Sequence, residues 1–382
     1  MSGRIVVMGS GELAPGLVAT HRAGLEAARA DRVTLLDTPY GFQENAEELT
    51  GRIREFFDTS LVTPTHVASL RTANASPAER ARALAEVRRA RYVFAGPGSP
   101  TYAVGIWEQV GMGDALGEVV VAGATVTFAS AAALTLGSHT LPVYELYKVG
   151  QAPHWRDGLD VLSVAGLSVP VVPHWDNAEG GTHDTSHCYV GRRRFEALMS
   201  GLPTGALGVD EHTAATIDLA DGTVSVTGRG SVTLWTREGE ESIPAGGSRP
   251  LAEVRDALGG GGAASPPSVD PSSGDTADFE TAIAARDADA VLASLLALEE
   301  TAARGGSRAA LRDALVRLAD VAEEGLVDPG DRVAGYVRLV LDARDRARDA
   351  RDFELADGLR DGLVALGVEV RDTPDGTEWS LG

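Results

Sequence analysis

The sequence predicts an α/β protein in which a mostly parallel β-sheet carries helices on both faces, followed by a small α-helical domain. Two observations predict the sheet: short apolar runs of strand length recur along residues 1–245, and amphipathic helical patterns separate them. A third observation predicts the helical domain, because the chain becomes almost wholly helical in pattern after a Gly/Ser/Pro-rich stretch. The length of 382 residues has room for both.

Eight runs in the first region carry the apolar and β-branched side chains that favour strands. They are Arg4–Met8, Arg32–Leu36, Tyr92–Ala95, Val119–Val121, Thr125–Phe128, Leu167–Val172, Ala215–Leu219 and Thr223–Val226. Between them, the apolar spacing of Glu44–Phe57 and Pro77–Arg89 fits amphipathic helices. Strands that alternate with helices predict parallel pairing, and the Asp221–Gly222 dipeptide predicts a hairpin at one edge of the sheet.

The sharpest change of composition separates two unlike regions. Gly, Ser and Pro are frequent from about residue 246 to 277, and at that density a chain buries too little apolar surface to order itself. We therefore predict domains at residues 1–245 and 278–382, joined by a flexible linker at residues 246–277. A short stretch inside the linker, residues 251–258, has a helical pattern.

The C-terminal region is predicted to be helical up to a closing hairpin. Ala, Leu, Arg, Asp and Glu dominate it, and apolar residues recur at helical spacing across residues 279–304, 307–324 and 332–366. An Asp-Gly turn at Asp375–Gly376 predicts a short hairpin, with Trp379 packing back on the helices.

The charge and cysteine content exclude several classes of protein. Acidic residues outnumber basic ones by 55 to 34, and the net charge of −21 divides into −8 for residues 1–250 and −13 for residues 251–382. Such a surface repels nucleic acid and anionic membranes. The single cysteine, Cys188, excludes an intrachain disulfide and a four-cysteine zinc site. With no signal peptide or membrane span in the pattern, we expect a cytoplasmic protein.

One buried-strand pattern ends at a serine with small neighbours and continues into an Ala-rich helix. Ser130 stands in the sequence Phe-Ala-Ser-Ala-Ala, just after the predicted strand. A sharp strand-to-helix turn of this kind exposes a serine Oγ as a nucleophile, and the N–H of the next residue, Ala131, points at an oxyanion. Both glycines of the usual G-x-S-x-G pattern are replaced, so the alternative is a serine packed at a helix start.

A second oxyanion donor is predicted in the turn after the strand Tyr92–Ala95. The chain continues there as Gly-Pro-Gly-Ser before a new helix begins. Glycine lets a backbone approach a reacting carbonyl closely, which makes the Gly98 N–H the candidate donor. Ser99 in the same turn is a candidate substrate contact.

Six of the eight histidines fall within residues 139–212. His174 ends an apolar strand, where a sheet enzyme places its general base, and a neutral imidazole can take the proton from a serine Oγ. The alternative is a structural histidine. A third group must hold the ring, and Glu211, Asp210 or Asp184 could supply it.

Two other kinds of site have weaker sequence support. Gly9–Ala14 matches the G-x-G-x-x-A spacing of dinucleotide-binding turns, but Pro15 and the glycine after it delay the helix, so a tight turn is the favoured interpretation. His183 and His187 are four residues apart among acidic residues and Cys188, as metal ligands on a helix would be. Neighbouring glycines favour a loop there, and we predict no metal site.

Lys148 is the only lysine in a chain with 33 arginines. It is a candidate point charge for a substrate carboxylate, with an ordinary surface lysine as the alternative. Asn177 and Glu179, which follow His174 closely, are further candidate substrate contacts.

The order of four motifs resembles the peptidase E and cyanophycinase family of serine peptidases. They are VFAGPGS, FASAAALTLG, PHWDN followed by GRRRFEAL, and GVDEHTA, and the resemblance covers about residues 1–240. It implies a flavodoxin-like sheet of the class I glutamine amidotransferase-like fold, with Ser130 as nucleophile, His174 as base and Glu211 as acidic partner. The oxyanion loop falls on Gly96–Ser99. Members of the family cleave dipeptides with an N-terminal Asp or the Asp–Arg polymer cyanophycin, and nothing in this sequence selects either substrate.

Residues 350–381 resemble the C-terminal end of cysteinyl-tRNA synthetases. The segment reads ARDFELADGLRDGLVALGVEVRDTPDGTEWSL, and the helices from about residue 278 fit the region that precedes it in that family. The synthetase signatures HIGH and KMSKS are absent from the sequence, so we do not expect an active cysteinyl-tRNA synthetase. The resemblance allows a contact with tRNA, which the acidity of this region disfavours.

Taken together, the residues predict a serine hydrolase, either a peptidase or an amidase, that acts on a small peptide or amide without a metal or organic cofactor. The alternative is a non-catalytic protein whose altered nucleophile elbow, the strand-to-helix turn at Ser130, binds a small ligand. In that case the C-terminal domain would be an RNA- or protein-interaction module. The sequence leaves open whether the chain forms a homodimer.

Overall fold

The described residues form two compact units, which lie on either side of residues 260–275 in the sequence. A computed structural model describes residues 3–259, 276–303, 308–324, 329–373 and 376–381. Each unit has apolar clusters of its own.

The first unit is built from strands and helices that alternate over much of its length. Its strands are β1 Arg4–Met8, β2 Val33–Leu35, β3 Thr65–Val67, β4 Tyr92–Ala95, β5 Thr125–Ala129, β6 His139–Thr140, β7 Arg156–Asp157, β8 Val171–Val172, β9 Ala206–Val209, β10 Thr213–Asp218, β11 Thr223–Gly228, β12 Ser231–Trp235, β13 Glu240–Pro244 and β14 Ser248–Pro250. Its helices are α1 Val18–Ala28, α2 Ala46–Ser60, α3 Pro77–Arg89, α4 Pro100–Trp107, α5 Met112–Val121, α6 Ser130–Ala133, α7 Val143–Tyr147, α8 Arg192–Met199 and α9 Leu251–Leu258. Short 3-10 turns lie at Pro15–Leu17, Thr38–Tyr40, Glu108–Val110, Leu134–Leu136 and Val161–Ala165.

An eight-stranded sheet forms the centre of this unit, in the order β14-β11-β10-β1-β5-β4-β2-β3. The strands from β1 to β3 in that order pair in parallel, and β10, β11 and β14 extend the sheet with antiparallel pairs. The mostly parallel sheet predicted from the sequence is therefore confirmed. The predicted hairpin is β10 and β11, and β14 rather than the hairpin forms the edge.

Helices cover both faces of the central sheet, as its alternating side chains show. In β4, Tyr92 and Phe94 join the cluster that contains Phe57 of α2, whereas Val93 and Ala95 join the cluster that contains Val87 of α3. Successive side chains of a strand point to opposite faces. Both faces are therefore buried, which explains why strands such as β4 are apolar throughout.

A smaller four-stranded sheet lies beside it, in the order β13-β12-β9-β8. Helix α9 packs Leu251, Val254 and Leu258 into the main core, and β14 pairs with β11. The first unit thus continues through β14 and α9 beyond residue 245, where the sequence predicted the linker to begin. The Gly/Ser/Pro run at residues 260–275 lies outside the described residues, and the linker there stays a prediction.

Two strand predictions differ from the structure. Residues 119–121, predicted as a strand, form the last turn of α5, and only Val171–Val172 of the predicted strand at residues 167–172 pairs as β8. In α5, Leu116, Val119 and Val120 face the core together. A short apolar run buried on one side fits either structure, so packing of the whole helix overrides the β-propensity of its valines.

The second unit consists, in its described part, of helices followed by a hairpin. The elements are α10 Ala277–Ala284, α11 Ala288–Ala303, α12 Arg308–Glu324, α13 Pro329–Asp349, α14 Phe353–Ala365, β15 Val368–Thr373 and β16 Gly376–Leu381. Two of the helices predicted as continuous are each divided in two, because Asp287 and Asp352 accept N–H groups of the helix turns that follow them. The hairpin is confirmed, although residues 374–375 of its turn lie outside the described residues.

The hairpin of the second unit packs on its helices as predicted. Trp379 contacts a cluster that includes Val337, Leu363 and Val370, and Arg344 of α13 donates two hydrogen bonds of 2.8 and 2.7 Å to Asp372. None of the helices in the described part of the chain combines the length and apolar composition that a membrane span needs.

Candidate active site

Ser130 lies at the sharp turn between β5 and α6, at the carboxyl end of a central parallel strand. Its φ angle is +51°, in the left-handed region that a non-glycine residue adopts only when its surroundings hold it there. None of its neighbours from residue 128 to 132 has a positive φ angle. Phe128 and Ala132 therefore fit an elbow that usually carries glycine, because the left-handed conformation falls on the serine alone.

His174 follows β8 and lies within hydrogen-bond distance of this serine. Ser130 Oγ and His174 Nε2 are 2.9 Å apart. The backbone around the histidine is held on both sides, since Cys188 N–H donates to the His174 carbonyl at 3.1 Å and Trp175 N–H donates to the Val209 carbonyl at 3.1 Å. Two loops that are distant in sequence thus meet at the end of the sheet.

Glu211, between β9 and β10, lies on the other side of the imidazole. Its Oε1 is 2.8 Å from His174 Nδ1 and accepts a second hydrogen bond, of 2.9 Å, from Asn177 Nδ2. Burial opposes ionisation of this carboxyl, but the hydrogen bonds from His174 and Asn177 outweigh it and hold the pKa of Glu211 below its ordinary value. An ionised Glu211 selects the tautomer with a proton on Nδ1, which leaves the Nε2 lone pair facing Ser130.

The other two carboxylates considered as the third group have partners elsewhere. Asp210 accepts the N–H and hydroxyl of Ser231 at 2.7 and 2.9 Å. Asp184 accepts the Arg192 N–H at 2.8 Å at the start of α8. Of the three candidates, the structure brings Glu211 to His174.

Two further serine hydroxyls contact a histidine ring among the described residues, and neither has this arrangement. Ser138 Oγ lies 3.0 Å from His139 Nδ1, and Ser186 Oγ lies 2.7 Å from His187 Nδ1. Both pairs join neighbours in sequence, and neither lines the cavity at Ser130. Burial, followed by the charge of Arg192, lowers the pKa of His187 to about 4.

The oxyanion loop, Gly96–Ser99, faces the elbow. The Ala132 N–H donates to the Gly96 carbonyl at 3.2 Å, which joins the loop to α6. The Ser99 N–H is occupied by the Pro39 carbonyl at 2.8 Å. Within the described part of the chain, the N–H groups of Gly98 and Ala131 have no hydrogen-bond acceptor, and both residues line the cavity.

A cavity of about 340 Å³ opens at Ser130. Its wall is formed by Gly98, Pro100, Ser130, Ala131, Leu134, Val143, Tyr144, Tyr147, Lys148, His174, Glu179, Cys188 and Tyr189. Lys148 and Glu179, two of the predicted substrate contacts, are therefore on the wall. Ser99 and Asn177 are not: the Ser99 hydroxyl accepts from the Tyr102 N–H at the start of α4, and the buried Asn177 supports Glu211.

Lys148 and Glu179 bring opposite charges to the cavity. Among the described residues neither takes part in an ion pair; Lys148 Nζ lies 4.5 Å from the ring centre of Tyr147, and Glu179 accepts a long hydrogen bond of 3.5 Å from the Tyr189 hydroxyl. Unpaired charges on a cavity wall are available to a ligand.

Sequence reasoning missed the three tyrosines of the cavity wall. The Tyr144 hydroxyl donates to the Gly98 carbonyl at 3.2 Å, and the Tyr189 ring lies 5.5 Å from the His174 ring. Tyr147 lies 5.6 Å from Tyr189. The only signal in the sequence was the pair of tyrosines beside the single lysine, because helix periodicity alone does not show which face of α7 borders a cavity.

The two alternative sites have different structures from the ones their patterns suggest. After Gly9–Ala14 the chain makes a 3-10 turn and α1 begins only at Val18, so the delayed helix is confirmed. His187 packs in the core against Phe195, whereas His183 is exposed and stacks on a cavity tyrosine. In the part of the chain that the structure describes, no three His, Cys, Asp or Glu side chains come together as a metal site would require.

A comparison with solved structures finds a similar peptidase. A peptidase from an acI-B1 actinobacterium superposes with a TM-score of 0.52 at 19% sequence identity, over 65% of this chain and 97% of that one. At this identity the likeness concerns the fold. The first unit therefore shares the fold of that peptidase. The resemblance predicted from the sequence is therefore confirmed for the fold of the first unit.

The C-terminal match concerns a second family. Residues 337–379 match the family model of the cysteinyl-tRNA ligase anticodon binding domain. Cysteine–tRNA ligases are similar over the C-terminal part of this chain. That of a Nocardioides species is 53% identical over 49 residues, 13% of this chain and 10% of the ligase, and that of Streptomyces coelicolor is 37% identical over 120 residues, 26% and 20%. The chain therefore spans about a tenth to a fifth of these relatives, and its resemblance to their C-terminal region is confirmed.

Proposed function

We propose that the first unit is a serine hydrolase, a peptidase or amidase, that acts on a small peptide or amide. One observation carries the proposal: Ser130 Oγ, the His174 ring and the Glu211 carboxylate form a continuous hydrogen-bonded series, with distances of 2.9 and 2.8 Å, at the wall of a cavity. A nucleophile, a base and a group that orients the base are the three parts that acyl transfer needs. The peptidase fold of this unit supports the same conclusion.

Acylation follows from the positions of these atoms. Ser130 Oγ attacks the amide carbonyl carbon and gives its proton to His174 Nε2, while the carbonyl oxygen takes the negative charge. The N–H groups of Gly98 and Ala131 donate to that oxyanion. His174 then passes the proton to the leaving amine as the C–N bond breaks, which leaves the acyl group on Ser130 as an ester.

Deacylation reverses the same proton path with water as the nucleophile. Water gives a proton to His174 Nε2 and attacks the ester carbonyl, and the oxyanion again accepts from the two backbone N–H groups. His174 returns the proton to Ser130 Oγ as the ester bond breaks. Glu211 stabilises the imidazolium in both halves without taking its proton.

The unpaired charges of the cavity indicate the ends of the substrate. We propose that Lys148 binds a carboxylate and Glu179 an ammonium group of a short peptide that carries both groups. Ser99 and Asn177 do not line the cavity. Ser99 instead acts through its backbone N–H, which donates to the Pro39 carbonyl, and Asn177 acts through its hydrogen bond to Glu211.

Removing either charge is expected to weaken substrate binding more than turnover. In Lys148→Met and Glu179→Gln we expect KM for a dipeptide with free ends to rise about 5- to 30-fold with kcat little changed, because a charge-assisted contact of about 1–2 kcal/mol is made equally in the ground and transition states. The measurement is steady-state hydrolysis of dipeptides whose ends are free, acetylated or amidated.

The blocked substrates supply the control for each residue. Lys148→Met should lose its effect on an amidated dipeptide, and Glu179→Gln should lose its effect on an acetylated one. If either variant raises KM equally for the free and the blocked substrate, the assigned contact is contradicted. If the wild-type chain hydrolyses no peptide or amide in the panel, the non-catalytic alternative is favoured.

For the second unit we propose an interaction module rather than a tRNA-charging enzyme. Its match to an anticodon binding domain supports a contact with tRNA, but residues 251–382 carry −13. Of the arginines in the run at residues 344–351, Arg344 is buried, and both Arg344 and Arg348 pair with Asp372. We therefore favour a protein partner over RNA.

Binding to tRNA is expected to be weak and non-specific. In a gel shift with the full chain and total tRNA at about 50 mM salt, we expect no complex at micromolar protein, because the excess of negative charge in residues 251–382 repels the phosphates. A complex that persists at about 150 mM salt, and that Arg346→Ala weakens, would contradict the preference for protein.

A further inference from the structure

A turn from a different part of the sheet lies directly beneath the oxyanion loop. This support turn, Thr38–Tyr40, follows β2, and its Pro39 carbonyl accepts the Ser99 N–H at 2.8 Å. The two segments are so close that a Cβ on Gly98 would lie 2.0 Å from the Pro39 oxygen. The support turn therefore fixes the Gly98–Ser99 peptide, and only glycine fits the φ angle of +144° at Gly98 in this space.

The support turn begins at a buried carboxylate. Asp37 is 0% exposed and accepts three hydrogen bonds: from the Ser69 hydroxyl at 2.7 Å, the Leu70 N–H at 3.0 Å and Arg71 Nε at 2.6 Å. A buried carboxylate is tolerated when it is paired and hydrogen-bonded, and it then fixes its partners in one arrangement. Asp37 thus holds the segment from Ser69 to Arg71 against the start of the turn.

The same segment reaches the helix that follows the oxyanion loop. The Arg71 carbonyl accepts the Tyr102 hydroxyl of α4 at 2.7 Å, and a Cβ on Gly41 would lie 2.6 Å from the Arg71 Cα. Trp107, at the other end of α4, donates from Nε1 to Thr38 Oγ1 at 2.9 Å. The turn, the segment and α4 are therefore joined to one another, and the oxyanion loop lies between the turn and the start of α4.

We infer that Asp37 and Arg71 are positioning residues for the oxyanion site. Their ion pair holds the support turn, the Pro39 carbonyl of the turn orients the Ser99 N–H, and the peptide before it presents the Gly98 N–H to the cavity. The inference rests on the proposed hydrolase function for its chemistry, but the mechanical part, that the pair fixes the loop, does not depend on it.

A second ion pair provides a matched control. Arg4 Nε lies 2.6 Å from Asp218 Oδ2, the same distance as in the Arg71–Asp37 pair, and Asp218 is 5% exposed and also accepts backbone N–H groups. Arg4 begins β1 and pairs with Thr125 at the beginning of β5, at the end of the sheet opposite to Ser130. Asp218→Asn should therefore destabilise the unit as a structural change does, without reaching the site.

The test measures hydrogen exchange and active-serine labelling on the full chain. In Asp37→Asn we expect faster amide exchange in peptides covering residues 38–41 and 96–102, and labelling of Ser130 by a fluorophosphonate slowed about 10- to 100-fold. In Asp218→Asn we expect a lower Tm with neither effect. Arg71→Lys, which keeps the charge but loses the planar fork, should show the same effects to a smaller degree if Asp37→Asn does not fold.

The outcomes separate this inference from the proposed function. Unchanged exchange over residues 96–102 in Asp37→Asn, or an equal change in Asp218→Asn, would overturn the positioning role. Faster exchange with undiminished labelling would overturn it too. A wild-type chain that takes up no label contradicts the hydrolase proposal, and the exchange result then decides alone whether the ion pair fixes the loop.

Discussion

Ser130→Ala is expected to lower kcat for any substrate of this chain by at least about 1000-fold. The hydroxyl that attacks the carbonyl is then absent, and the remaining rate reflects only binding and the oxyanion donors. The fold should be unaffected, because the smaller alanine fits in the space that serine fills and leaves the other contacts of α6 in place. The measurement is single-turnover and steady-state hydrolysis of a peptide found active with the wild-type chain, together with Tm.

Ser138→Ala is the matched control for this prediction. Ser138 also contacts a histidine, at 3.0 Å, but it has an ordinary backbone and does not line the cavity. We expect Ser138→Ala to keep the wild-type rate. If Ser130→Ala retained more than about a tenth of kcat, Ser130 would not be the nucleophile, and the site would need another one.

Glu211→Gln is expected to lower kcat by about 100- to 10,000-fold while KM changes little. The amide can still contact His174, but it carries no charge to stabilise the imidazolium and no longer enforces the tautomer with Nε2 free. Because hydrogen bonds hold the pKa of Glu211 below its ordinary value, the wild-type group is ionised at neutral pH, and the loss should be present across the neutral range. Rates of hydrolysis between about pH 6 and 9 measure it.

Asp210→Asn controls for the loss of a carboxylate in the same loop. Asp210 contacts Ser231 rather than His174, and both donors reach one carboxylate oxygen, so an asparagine Oδ1 can accept the same two hydrogen bonds. We expect its kcat to stay within about 3-fold of wild type. An equal loss of rate in both variants would mean that the loop, and not the contact of Glu211 with His174, is what matters.

The parts of the fold that the sequence predicts well are those that local patterns determine. β1, β4 and α3 have the predicted bounds because burial on both faces makes the strands continuously apolar and Ser76 with Pro77 starts the helix. The elbow at Ser130 was also recognisable, since few other local structures fit a strand that ends at a serine among small side chains. Its missing glycines proved compatible because the positive φ angle lies at Ser130 itself.

The parts that could not be predicted depend on contacts between distant segments. Nothing local to residues 119–121 shows that they complete a helix, and nothing local to Asn177 shows that it supports Glu211 rather than facing the cavity. The direction of the Ser99 N–H depends on Pro39, sixty residues earlier in the chain. Such features require the packed structure, because the sequence carries no periodic signal for them.

The central claim is that Ser130 is an activated nucleophile, and the most direct test is the site at which a fluorophosphonate attaches. The full chain is incubated with the probe, and the adduct is located by peptide mass spectrometry. We expect a single adduct on Ser130 that is absent from Ser130→Ala and strongly reduced in Glu211→Gln. No adduct on the wild-type chain, or an adduct on another serine, would contradict the claim.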